Sequence, residues 1–134
     1  MGYSSPLGYT GYAPTDDKLQ EDTNTYTENG PTWVSKITGY AIADVQPKSK
    51  LRFKVEIQNT TFGKLVYFAV FINNTIVWAE DWIQNIWKLY ESDVFVTWRR
   101  GDFIEVKLKC DILGGQAQMK NFEICGKVSP VRLD

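Results

Sequence analysis

Residues 73–90 read NNTIVWAEDWIQNIWKLY and place three tryptophans, Trp78, Trp82 and Trp87, within ten residues. Two periods compete in this stretch. On a helical template Ala79, Trp82, Ile83, Ile86, Trp87 and Tyr90 recur at i, i+3, i+4, i+7, i+8 and i+11. Glu80, Asp81, Gln84, Asn85, Lys88 and Glu91 lie opposite. The acids come early and Lys88 late, as the helix dipole prefers. On an extended template Ile76, Trp78, Glu80 and Trp82 share one side, and Trp87, Leu89 and Glu91 share another. The helix is the cleaner pattern. The neighbouring segments favour strand–loop–strand, because a hairpin signal precedes the stretch and a strand follows it. Both readings of 79–91 stay open on pattern alone.

The flanking sequence is β throughout. In KLRFKVEIQN, 50–59, Leu51, Phe53, Val55 and Ile57 alternate without error against Lys50, Arg52, Lys54, Glu56 and Gln58. One face of such a strand is buried and the other is wet. After the turn NTTFG, the run KLVYFAVFI at 64–72 is apolar on both sides. That suits a central strand covered on both faces or touching a partner. Asn73-Asn74 then predicts a tight hairpin, since Asn tolerates the left-handed backbone that such turns need. DVFVTW at 93–98 sets Val94, Val96 and Trp98 against Phe95 and Thr97, and RRGD turns the chain at 99–102. FIEVKLKCDI, 103–112, puts Ile104, Val106, Leu108 and Cys110 on one face. Following LGGQ, the strand at 118–128 groups Phe122, Ile124 and Val128. Upstream, 32–45 reads as one long strand or two short ones, with Gly39 as a bulge or bend.

Seven or eight strands result, with no strand–helix alternation. The fold class predicted is all-β, an antiparallel β-sandwich of jelly-roll type. The stretch 1–23 differs. It holds Pro6, Pro14 and three Gly-Tyr steps without apolar periodicity. It reads as a flexible arm preceding a sandwich domain at 24–134, with Tyr3, Tyr9 and Tyr12 available to dock on a neighbouring subunit.

The run from KLRFKVEIQN through YFAVFINNTIVWAEDW, WKLYESDVFVTWRRGDFIEVKLKC and GGQAQMKNFEICGKV resembles small jelly-roll proteins of viruses of thermophilic archaea and of some phages. The features that match are an aromatic and small-residue strand entering an Asn-containing hairpin, a Gly-Asp step at Gly101-Asp102 opening the penultimate strand, and an Asn-Phe pair at Asn121-Phe122. The resemblance spans residues 50–128 and rests on fold motifs. It implies a virion, fibre or attachment component, and an extended 76–95 segment.

The chain has 134 residues, 43% hydrophobic content and a net charge of −1. This suits one domain that folds without metal or disulfide. The basic excess of a nucleic-acid binder is missing, and no apolar run reaches the ~20 residues of a membrane span. MGYSSPLGYTGY lacks the charged start and apolar middle of a secretory signal. With no histidine, the commonest general base and metal ligand is gone. Glu80, Asp81, Asp93 and Asp102 read as solvated charge near turns and strand ends, so no enzyme, cofactor or metal site is expected. Cys110 shares the inward parity of its strand while Cys125 is out of phase with Phe122 and Ile124. Two free thiols are therefore predicted, with Cys110 buried and no disulfide. Asn59-Thr60-Thr61 and Asn73-Asn74-Thr75 match the glycosylation sequon, and chance in turn-rich sequence is the plainer reading.

Aromatic faces bind sugars by stacking. Trp78, Trp82, Trp87, Tyr90 and Trp98 form the candidate platform, against the plainer reading that most of them fill the core or an oligomer contact. Two functions are carried forward. One is a non-enzymatic structural or attachment protein of a virion or cell surface, a homo-oligomer or a partner of other virion proteins. The other is a carbohydrate-binding module that uses the Trp cluster to hold a cell-surface glycan.

Overall fold

A computed structural model describes residues 17–47, 49–61, 63–111 and 115–129. Within them the chain forms nine strands and no helix. These are β1 (Asp17–Asp22), β2 (Tyr26–Glu28), β3 (Val34–Tyr40), β4 (Lys50–Asn59), β5 (Val66–Ile72), β6 (Thr75–Trp82), β7 (Lys88–Phe95), β8 (Phe103–Cys110) and β9 (Ala117–Gly126). The first sheet runs β1-β9-β4-β7, with β2 also paired to β9. The second runs β3-β8-β5-β6. Every pairing between strands is antiparallel. The result is an all-β sandwich of jelly-roll type.

No helix forms at 79–91. The register Val66↔Trp82 to Ile72↔Thr75 binds β6 to β5, and Lys50↔Phe95 to Ile57↔Lys88 binds β7 to β4. These ladders satisfy the backbone groups that a helix would have satisfied within itself. They also bury Trp78 between two core rings, Phe53 and Phe68, each edge-on at 5.3 Å. An isolated helix offers no equivalent gain, because most helical stability in proteins comes from packing. Residues 83–87 cross from one sheet to the other, tied by the Trp82 Nε1–H donating to the Ile86 carbonyl at 2.9 Å.

The hairpin at Asn73-Asn74 has positive φ at both residues, 50° and 69°, the geometry of a two-residue turn. The turn at 99–102 sits against it. Asn73 Nδ2 donates to Asp102 Oδ1 at 3.0 Å, Asn73 Oδ1 accepts the Phe103 N–H, and Asp102 Oδ2 accepts the Arg99 N–H.

Two features differ from the sequence reading. Asp17–Asp22 pairs with β9, so the sandwich includes residues placed in the arm. Apolar alternation is too weak there to signal a strand; the β9 edge recruits it. Tyr3, Tyr9 and Tyr12 lie outside the described residues. In β9 the inward set is Ala117 and Met119, then Phe122 and Ile124. The parity change falls at Asn121, whose φ is +55° and where the β4–β9 register shifts. A β-bulge there turns both halves of the strand into the core.

The core lies between the sheets. Leu51, Phe53, Val55 and Ile57 face Val66, Phe68, Val70 and Val106 across it. β5 is buried on both sides. Ala69 is wholly inaccessible and Phe71 nearly so, although both point away from the core.

Candidate functional site

The five residues predicted as a platform do not share a face. Trp78 and Trp98 belong to the sandwich core, at 7% and 4% exposure. Trp98 follows Val94 and Val96 inward by alternation, whereas Trp78 turns inward beside a register shift in β6: it pairs with Val70, while Ile76 pairs with the outward Phe71 and is exposed. Trp82 and Tyr90 meet edge-on at 6.5 Å, where the two sheets approach at β6 and β7. The Tyr90 hydroxyl donates to the Asp81 carbonyl at 2.8 Å, so this pair closes the side of the sandwich. Trp87 lies apart, under the Lys120 ammonium at 4.3 Å.

A different aromatic surface stands on the outer face of the second sheet. Alternation along β5 sends Tyr67, Ala69 and Phe71 outward. Their partners on β8 are Lys109, Lys107 and Glu105. Trp33, just before β3, packs edge-on to Phe71 at 5.8 Å. The Lys109 ammonium sits 4.7 Å from the Trp33 ring centre and 5.3 Å from that of Tyr67, and Lys107 sits 4.4 Å from Phe71. These rings and lysine stems form a second, thin apolar layer that buries Ala69. Lys107 reaches Glu105 only at 3.8 Å, while Glu105 accepts the Ser35 hydroxyl at 2.6 Å. No carboxylate of the described residues lies within ion-pair distance of Lys109. The two-sided apolar run of β5 was the sequence signal for this layer. Trp33 carried none, because it lies outside any strand and reaches Phe71 only through the fold.

The side of the sandwich formed by β6 and β7 has another character. Each is the last strand of its sheet among the described residues. Of the seven large hydrophobic side chains exposed among those residues, Ile76, Ile83, Ile86, Leu89 and Phe95 lie on these two strands and the loop joining them. At one end a groove of about 590 Å³ runs between Ile72, Ile76 and Val77 on one wall and Phe95, Val96 and Arg99 on the other.

Glu80 points toward the sandwich and Asp81 away from it, so the adjacent carboxylates do not converge. Burial holds Glu80 above the usual carboxylate range, opposed by the hydrogen bond from Trp78 Nε1 at 3.0 Å. Asp93 is held below its usual range by Arg52, which binds it at 2.8 Å. Among the described residues no group of three acidic or thiol ligands converges on a metal position, and no helix is long and apolar enough to cross a membrane. Cys110 and Cys125 are both free and both buried. Asn59 is fully inaccessible, donating to the Leu65 carbonyl and to Cys110 Sγ and accepting the Thr61 N–H. A glycan on Asn59 is incompatible with that burial. Asn73 is exposed, with its amide committed to Asp102 and to the Phe103 N–H.

No family model and no curated protein matches the sequence. Solved structures do match. The CBM22-1 and GH10 modules of an endo-1,4-β-D-xylanase from Clostridium thermocellum, complexed with xylohexaose, match at TM-score 0.53 and 10% identity. The alignment covers 84% of this chain and 29% of that one. The CBM22-1 xylan-binding domain of a Paenibacillus barcinonensis protein matches at TM-score 0.50 and 11% identity, over 88% of this chain and 99% of that domain. A chain of infectious bursal disease virus, Gx strain, is matched at TM-score 0.36 and 12% identity, over 89% and 35% of the two chains. The likeness is one of fold. At such identities it carries no residue of any binding site across.

Proposed function

We propose that this protein is a non-catalytic jelly-roll module of a virion or cell surface, working as a homo-oligomer joined along the β6–β7 side. One observation carries the reading: five exposed large hydrophobic side chains lie on two strands that end their sheets and on the loop joining them. Unpaired edges beside apolar side chains are the usual starting point for association. The tyrosines Tyr3, Tyr9 and Tyr12 would extend the contact onto a neighbouring copy. The resemblance to jelly-roll proteins of archaeal viruses agrees with this role. Sedimentation velocity of the full chain over a concentration series tests it. Association is expected, and Leu89→Lys combined with Phe95→Lys should abolish it while leaving Tm unchanged. A strict monomer overturns the reading.

A second reading is favoured by the half-open Trp33 and Tyr67 rings on the outer face of the second sheet. There the module holds a glycan by ring stacking. The platform then consists of Trp33 and Tyr67, with Trp82, Tyr90 and Trp87 outside it. Titration with soluble hexasaccharides, neutral and acidic, is the test. Trp33→Ala should remove binding, and failure to bind any of them sinks the reading.

A further inference from the structure

We infer that the outer face of the second sheet is built for an acidic sugar chain, with the Lys107 and Lys109 ammoniums meeting its carboxylates while Trp33 and Tyr67 take its ring faces. The inference rests on the glycan reading and names the class of sugar.

The two lysines are alternate residues of one strand, so both project to the same side, about 7 Å apart along it. Their neutralisation is incomplete. Glu105, which faces the same side, is held by Ser35 at 2.6 Å and lies 3.8 Å from Lys107. Lys109 rests on two rings and has no carboxylate within 4.0 Å among the described residues. On the outer face of the first sheet Lys18, Arg52 and Lys54 each have a carboxylate in reach, from Glu21, Asp93 and Glu123, while Lys120 and Lys50 each rest on one ring, Trp87 and Phe95. What sets the second sheet apart is that Lys109 bridges two rings beside Lys107 on the same strand.

A neutral sugar laid on Trp33 would take water from the ammoniums without giving them a counter-charge, which is unfavourable. A uronate-bearing chain supplies both a stacking face and a carboxylate. The sugar takes the place of Lys109 over the indole, and the displaced ammonium pairs with the carboxylate. Single-stranded nucleic acid also combines rings with negative charge. Its affinity depends on many phosphate contacts, however, and this face offers two lysines on a chain of net charge −1.

The test is calorimetric titration of the full chain at low salt with a galacturonate hexasaccharide, xylohexaose and a single-stranded oligonucleotide of similar length. The galacturonate should bind at least about tenfold tighter than xylohexaose, with the advantage shrinking as salt screens the charges. Lys107→Gln combined with Lys109→Gln should reduce galacturonate affinity to that of xylohexaose while xylohexaose binding is retained, which shows that the variant is folded. Equal binding of the two sugars overturns the acidic class and leaves the glycan reading standing. Tighter binding of the oligonucleotide overturns the choice of a sugar. Binding of neither sugar overturns both.

Discussion

Trp78 and Trp87 are nine positions apart and have opposite surroundings. Trp78 is wedged between Phe53 and Phe68 in the core, whereas Trp87 is half-buried on the outside of the first sheet against Lys120. Trp78→Ala should cost about 3–5 kcal/mol of stability in a denaturant titration. Trp87→Ala should cost under about 1 kcal/mol, the usual size for a surface change. Equal losses would place Trp87 in the core as well. Asn59 is the other decisive single residue. Its amide satisfies the Thr61 and Gln116 N–H groups and the Leu65 carbonyl while touching Cys110. Asn59→Ala leaves those groups unpaired in a dry place, and should cost about 2–4 kcal/mol. The same burial predicts an unmodified Asn59 by intact-mass measurement after expression in a glycosylating host.

Cys125 links residue chemistry to pH. Burial, helped by Glu123, raises its thiol from 9.0 to about 11. The folded state therefore keeps the thiol neutral at a pH where the unfolded chain ionises it. Below pH 9 both states are protonated and the stabilisation is fully present. It is lost as pH rises from about 9 through about 11, by roughly 2 kcal/mol. Lysines also titrate in this window, so the measurement is the difference in slope between the natural protein and Cys125→Ala. The variant should lose less stability over that range, and identical slopes would contradict the assignment.

At the scale of elements, β5 and β7 explain each other by contrast. β5 lies between β8 and β6 and is buried on both faces, the outer one beneath Trp33 and the stems of Lys107 and Lys109. β7 ends its sheet, and its outer side carries Leu89, Glu91, Asp93 and Phe95. The two acids are engaged by Arg52 of β4, which leaves Leu89 and Phe95 as the apolar ends of an open edge. The hairpin between β5 and β6 is a further joint. Asn73 combines a left-handed backbone with side-chain hydrogen bonds to Asp102 of the 99–102 turn and to the Phe103 N–H that opens β8. Asn73→Ala should therefore cost about 2–3 kcal/mol in thermal or chemical unfolding. A loss under about half a kcal/mol would show the two turns to be independent.

At the scale of the whole molecule, β9 organises the first sheet. It pairs with β1 and β2 from the start of the described chain and with β4 from its middle. These pairings are distant in sequence, which predicts refolding in milliseconds to seconds. Cys125 lies on the outer side of β9, opposite Lys18 of β1. Removing residues through Glu28 should open the β9 edge and bring Cys125 within reach of a thiol reagent. In the intact protein neither Cys110 nor Cys125 should react until denaturant is added. Rapid labelling of the intact chain would show that β1 does not shield the thiol.

The sequence by itself determined the all-β class, the inward sets of β4 and β8, the Asn73-Asn74 hairpin and the opposite facing of Cys110 and Cys125. Each follows from a period of two or from turn chemistry, which act over a few residues. Only the tertiary structure decided the rest. The AEDWIQNIWKLY segment satisfies a helical period, and the partner strands β5 and β4 overrode it by pairing with its two halves. Asp17–Asp22 became a strand because β9 offered an edge, and the Asn121 bulge restored the inward facing of both halves of β9. Trp33 joined Tyr67 and Phe71 across a distance in sequence that no local pattern records. The five predicted aromatics were separated for the same reason. Alternation says only that a ring points to one side of its strand, and the stacking order of the sheets decides whether that side is core, edge or solvent.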